Sequence, residues 1–112
     1  MIHELEIIDI VIGEGKTCVK GALIITQYKG SLEDGTVFDS SYDRGQPFQC
    51  VIGSRRVIQG WDQGLMGMKV GGKRKLLIPA HLAYGERQVA KIPPNSNLIF
   101  EIELLEVLTR DD

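Results

Sequence analysis

Val57-Ile58-Gln59-Gly60-Trp61-Asp62-Gln63-Gly64-Leu65-Met66-Gly67-Met68 is the one long run whose apolar residues recur at helical spacing, with Val57, Trp61, Leu65 and Met68 on a single stripe. Gly60, Gly64 and Gly67 each disfavour helix by roughly 1 kcal/mol relative to alanine, so the segment needs a surrounding sheet to hold its shape. Glycines four apart also leave one side of the helix nearly bare, open to close approach by backbone or a ligand. From these residues alone the stretch reads either as a short core helix or as the floor of a pocket with Trp61 at its bottom.

Outward from this stretch the pattern turns to strands. Toward the N-terminus, Leu5 to Ile12 is β-branched and stops at Gly13-Glu14-Gly15. Ala22 to Lys29 alternates, placing Ile24, Thr26 and Tyr28 on one face, with Tyr28 directed inward. Asp34-Gly35 between apolar runs predicts a hairpin leading into Val37-Phe38-Asp39, where Phe38 and Asp39 take opposite sides unless a bulge turns one of them. Ser40 to Gln46 reads as a polar connection, and Phe48, Cys50 and Ile52 alternate into a further strand.

Beyond the helical run, Gly71-Gly72 makes a turn and Lys73 to Pro79 a strand closed by its proline. The basic triplet Lys73-Arg74-Lys75 has no companions elsewhere and reads as a solvated strand start. Ala80 to Pro94 shows no sustained period and is expected as a long loop or helical turn, of the kind that often carries function. Leu98, Phe100, Ile102 and Leu104 then face inward on the last strand, with Glu101 and Glu103 toward water.

Five to six antiparallel strands and one short helix predict an α+β fold in which a curved sheet wraps around the helix, because a single helix can cover only one face. That places Tyr28, Phe38, Phe48, Trp61, Tyr84 and Phe100 on or near the concave side, as plain core or as a cleft. A cleft has the advantage that the Tyr28 and Tyr84 phenols need not be buried without partners.

With 112 residues the chain is expected to be one domain, residues 1–112. A 43% hydrophobic and 25% charged composition is that of a soluble globular protein, and a net charge of −2 gives no general attraction to nucleic acid or anionic membrane. The N-terminus lacks a basic stretch followed by an apolar run, and no segment reaches transmembrane length, so a cytoplasmic setting is expected. Cys18 and Cys50 lack CxxC spacing and are expected as inert reduced thiols. His3 and His81 are isolated, without ligand-like spacing to acids or cysteines, so neither metal nor cofactor is expected.

Several runs, in order along the chain, carry a resemblance: Tyr28-Lys29-Gly30, Leu32-Glu33-Asp34-Gly35, Phe38-Asp39-Ser40-Ser41, Pro47-Phe48, Val57-Ile58-Gln59-Gly60-Trp61, Ala83-Tyr84-Gly85, and Ile92-Pro93-Pro94-Asn95 through Leu98-Ile99-Phe100-Glu101. Over roughly Gly15 to Val107 the sequence closely resembles the FKBP-type peptidyl-prolyl cis-trans isomerases. The resemblance implies a proline pocket between sheet and helix, with Trp61 as floor and Tyr28, Phe38, Phe48, Val57, Ile58, Tyr84, Ile92 and Phe100 as walls. It implies Asp39 and Tyr84 as the polar members beside a catalytic Trp61, and the Ile58 N–H as donor to bound peptide. Arg44 matches a position usually paired with that of Asp39, which leaves it a loop-holding salt bridge or a direct role.

The implied partners are proline-containing polypeptides, with macrolides such as rapamycin as inhibitors, acting on a monomer. A non-catalytic module gripping proline peptides or a macrolide is the alternative. Chaperone action is expected to be slight, since relatives strong in it carry a domain inserted near the Tyr84 loop. The sequence departs from the family at Cys50, where many members have an aromatic, and at Arg56, a site often acidic. It departs again along Gly85 to Ile92, which lacks the usual histidine and glycines.

Overall fold

A computed structural model describes residues 2–110, so Met1, Asp111 and Asp112 of the expected domain lie outside it. Six strands form one antiparallel sheet: β1 (Glu6–Val11), β2 (Leu23–Leu32), β3 (Val37–Ser40), β4 (Phe48–Val51), β5 (Lys73–Ile78) and β6 (Leu98–Leu108). The order is β1-β5-β6-β2-β3, with β4 pairing β2 on the same side as β3. The inward set expected for β6 is fully or almost fully buried, as are Ile24, Thr26 and Tyr28 on β2. The two long central strands pair from Leu23–Leu108 to Leu32–Leu98, with one register shift between Ile25 and Thr26. Such a bulge bends and twists the sheet, which helps it curl over a helix.

The central helix is shorter than the sequence suggested: α2 spans Gln59–Gly64, and Leu65 is its C-cap. Leu65 and Met68 remain buried, reached through a turn at Gly67, whose φ of +80 suits glycine. The glycine side of α2 is approached not by backbone or ligand but by β5 side chains. A Cβ on Gly60 would fall 2.5 Å from Ile78 Cγ2, and one on Gly64 would fall 2.8 Å from Leu76 Cδ1.

Two expectations are corrected. The polar connection after β3 contains a one-turn helix, α1 (Ser41–Arg44), with Ser40 Oγ accepting the Asp43 N–H at its start and Gly45 at φ +68 at its end. The basic triplet is not simply solvated, because the Arg74 side chain is only 11% exposed. Its guanidinium donates to Asp9 Oδ1 (2.6 Å) and to the carbonyls of Gly64 and Met66 (both 2.9 Å), satisfying acceptors left open where α2 ends. β1, by contrast, is exposed along its whole length as the sheet's edge.

Candidate active site

Strand β2 positions most of the site. β6 pairs one side of it throughout, while the other side is shared by β4 over Leu23–Thr26 and β3 over Lys29–Ser31. In the gap between them the buried Ser41 stands in for a strand: its Oγ accepts the Tyr28 N–H (2.7 Å) and donates to Gln27 Oε1 (2.5 Å). This satisfies backbone that would otherwise be orphaned. The α1 turn that supplies Ser41 also brings Arg44 back onto Asp39.

The question of Phe38 and Asp39 is settled by a bulge. Gly30 pairs with Asp39 and Ser31 with Val37, leaving Phe38 the extra residue, so both Phe38 and Asp39 line the same recess. Gly30 makes room for this. A Cβ there would meet Phe38 Cζ at 2.6 Å and Phe100 Cε1 at 2.8 Å, and without it the two rings pack edge to face, 5.6 Å between centroids.

The recess holds about 250 Å³ and is lined by Tyr28, Phe38, Asp39, Phe48, Arg56, Val57, Ile58, Trp61, Tyr84 and Phe100. Trp61, 3% exposed, meets Tyr28, Phe48 and Phe100 edge to face or nearly so at 5.1, 5.7 and 5.5 Å, an arrangement favoured by ring quadrupoles. The indole is therefore rigidly held yet opens onto the recess, as a pocket floor must.

The polar groups divide into a spent set and a free one. Tyr28 Oη donates to Asp39 Oδ2 (2.5 Å) and accepts from Arg44 Nη2 (3.2 Å), while Arg44 Nη1 also bonds Asp39 Oδ1. The Arg44 guanidinium lies 5.5 Å from the Tyr28 ring centroid, adding a cation–π contact. Burial, followed by the bond to Asp39, raises the Tyr28 phenol above its usual pKa. The Tyr84 phenol is also raised, by burial first and then by the Asp39 charge, but its hydroxyl makes no protein hydrogen bond among the described residues. Nor does the Ile58 N–H, although the Ile58 carbonyl accepts from Trp61 and Asp62 at the start of α2 (3.0 and 3.2 Å). A hydroxyl and an amide are thus left to donate to a ligand carbonyl over an apolar floor.

Of the residues singled out in the sequence, two do not line the recess. Arg44 reaches it only through Asp39 and Tyr28, and Ile92 is buried in the core at 5% exposure. Reciprocal hydrogen bonds between Val89 and Ile92 fold the loop into a tight turn there. The residues that set the site from behind were missed. Asp62 accepts the N–H groups of Gly53 (2.7 Å) and Arg55 (3.0 Å), fixing the loop before Val57. Asn97 accepts the Ala80 N–H (3.0 Å) and donates to Glu33 (2.8 Å), anchoring the 3-10 turn Ala80–Leu82 that precedes Tyr84. An Asp a few residues after a Gly-Ser pair, and an Asn opening a strand, were the available signals. Cys18 and Cys50 are both unpaired, with thiols raised to about 11 by burial, and no metal-ligand cluster occurs among the described residues.

Fold and recess together define a small α+β domain with an aromatic recess over an indole, between a sheet and a short helix. The family model for FKBP-type peptidyl-prolyl cis-trans isomerase matches residues 14–105, and the chain belongs to that family. It is 59% identical over 87 residues to FK506-binding protein 2 of Debaryomyces hansenii, covering 78% of this chain and 64% of the relative, just under two thirds of its length. With the FK506-binding protein of Neisseria meningitidis serogroup A it shares 54% identity over 100 residues, 88% of this chain and 92% of that one. The crystal structure of AtFKBP13 superposes with a TM-score of 0.86 at 47% identity, covering 91% of each chain.

Proposed function

We propose that this chain is a peptidyl-prolyl cis-trans isomerase, residues 1–112 forming a catalytic domain, and that the recess over Trp61 is where the X-Pro bond turns. The observation that carries this reading is an aromatic recess of about 250 Å³ with Trp61 beneath it and, beside it, two donors, Tyr84 Oη and Ile58 N–H, that have no hydrogen-bond partner among the described residues. Rotation of an X-Pro amide crosses a barrier of about 18–20 kcal/mol and breaks no covalent bond, so neither nucleophile nor metal is required. At the twisted transition state the amide loses resonance. Its carbonyl becomes less polar and its nitrogen more basic than in either planar state.

A water-poor aromatic surface favours that species over the planar amide, which is differential binding of the transition state assisted by desolvation. The pyrrolidine ring rests on Trp61 between Phe38, Phe48, Val57 and Phe100, while the preceding carbonyl swings. Tyr84 and the Ile58 N–H hold peptide carbonyls. Asp39, oriented by its hydrogen bond from Tyr28 and its ion pair with Arg44, supplies a fixed negative field at the recess wall. This ranks Arg44 as a positioning residue.

Substrates are proline-containing polypeptides, and macrolides compete for the same recess, as the names of the FK506-binding relatives support. Two unpaired thiols accord with action in the cytosol, and among the described residues no helix is long and apolar enough to cross a membrane. The acting unit in this reading is the monomer, because the recess needs no second chain to complete it. A protease-coupled isomerisation assay with and without rapamycin tests the reading. Rapamycin-sensitive turnover is expected. Tight rapamycin binding without turnover would make the chain a binding module instead.

A further inference from the structure

Beside the proline recess lies a larger cleft of about 810 Å³, which shares Arg56, Val57, Ile58 and Tyr84 with it and is of a different character. Arg55, Arg56 and Arg87 line this cleft against a single carboxylate, Asp62. Both Asp62 oxygens already accept backbone N–H groups, from Gly53 and Arg55. All three arginines are exposed, and none makes an ion pair among the described residues. In a chain of net charge −2 this is a local reversal of sign, and it adjoins the wall where Tyr84 and Ile58 offer their free donors.

The reversal is built into the backbone. Arg55 sits at φ +64, a region that disfavours side chains, and the Asp62 carboxylate holds it there, so that two consecutive arginines stand at the rim. Arginine presents a planar fork of donors matched to carboxylate geometry, and an unpaired cluster at the mouth of a cleft both attracts and orients an anionic segment.

We propose that this cleft makes the isomerase selective for polypeptides carrying a glutamate or aspartate within about three residues of the isomerised proline. An extended chain advances about 3.3 Å per residue, so three residues from a ring seated over Trp61 reach about 10 Å, toward a cleft that shares Arg56, Val57, Ile58 and Tyr84 with the recess. Arg55, Arg56 and Arg87 are specificity-determining residues. They act by binding and by steering, so their effect appears in kcat/KM and fades as salt screens exposed charges. The proposal rests on the isomerase reading of the recess.

The test is kcat/KM for a neutral leucyl-prolyl peptide and for versions with one glutamate or one lysine placed one to three residues before or after the proline. Each is measured near 0.01 M and near 0.15 M ionic strength, between which the Debye length falls from about 30 Å to about 8 Å. At low salt at least one glutamate peptide is expected to exceed the neutral one by about threefold to tenfold, the range for one or two exposed arginine–carboxylate pairs. That ratio should shrink with salt and approach one in Arg55→Gln/Arg56→Gln/Arg87→Gln, and Arg56→Glu/Arg87→Glu should favour the lysine peptides. Turnover of the neutral peptide with a glutamate ratio near one at low salt, or a ratio unmoved in the folded arginine variants, overturns the selectivity and leaves the isomerase reading intact. No turnover of any peptide by folded wild type overturns the isomerase reading, and this one with it.

Discussion

Replacing Gly60 with alanine sets two opposed effects against each other, and the structure decides between them. Alanine favours helix over glycine by about 1 kcal/mol in a helix interior, and Gly60 is only the second residue of a six-residue helix, so the gain is smaller. Against it, the new Cβ would lie 2.5, 2.7 and 2.9 Å from Cγ2, Cδ1 and Cγ1 of Ile78. Ile78 is 0% exposed and cannot swing aside into solvent, so helix or strand must shift. Overpacking of this kind costs about 1–3 kcal/mol. The net expectation is a loss of about 1–2 kcal/mol, lowering Tm by about 4–8 °C for a domain of this size.

Thermal and urea denaturation of wild type, Gly60→Ala, Ile78→Ala and the double variant read this as a thermodynamic cycle. Ile78→Ala alone should cost about 2–5 kcal/mol, but in the Gly60→Ala background the added methyl occupies part of the void and no longer clashes. A coupling of at least about 1 kcal/mol is expected. Because Trp61 follows Gly60 directly, lifting the helix also disturbs the recess floor, and kcat/KM of folded Gly60→Ala should fall. An alanine variant as stable as wild type, or a cycle that is additive, refutes the claim that the bare side of α2 exists to seat it on β5.

Other substitutions probe the site and its supports. Trp61→Ala should reduce kcat/KM for a prolyl peptide by at least about thirtyfold, as loss of a central aromatic anchor does, whereas Tyr84→Phe should lose only about twofold to tenfold, the worth of one hydrogen bond. Equal rates for both variants, with folding checked by circular dichroism, would count against the recess. Arg74→Gln strands the Gly64 and Met66 carbonyls and should lower stability by about 1–3 kcal/mol in urea melts, and an unchanged midpoint would deny it the capping role. Burial raises both thiols to about 11, so folding stabilises their neutral forms; that contribution is complete below pH ~8.5 and is lost as pH climbs toward 11. At pH 8 the native protein should therefore resist alkylation at Cys18 and Cys50 while the urea-unfolded chain reacts freely, a contrast that mass spectrometry measures.

What was legible in the sequence was local. Period-two alternation in Ala22–Lys29 and Leu98–Leu104 is a property of neighbouring residues, and each of those inward faces is buried as expected. Asp34-Gly35 turns where its chemistry says it should, with Asp34 Oδ1 accepting the Thr36 N–H and Gly35 at φ +92. The helical stripe around Trp61 was visible for the same reason, although its length was overread. Leu65 and Met68 are buried by the turn that follows α2 as well as a helix would bury them, and periodicity cannot separate the two.

The sequence by itself therefore determined the strands, the buried aromatics and, through resemblance, the family, because side-chain alternation and short spaced motifs are written along the chain. Only the tertiary structure decided that Phe38 is the bulged residue sharing a wall with Asp39, and that Gly30 is bare so two rings can meet above it. It alone placed Ile92 in the core and gathered Arg55, Arg56 and Arg87 around one cleft. The physical reason is common to all of these. Each depends on the distance between segments far apart in sequence, which register and loop anchoring fix and no local preference encodes.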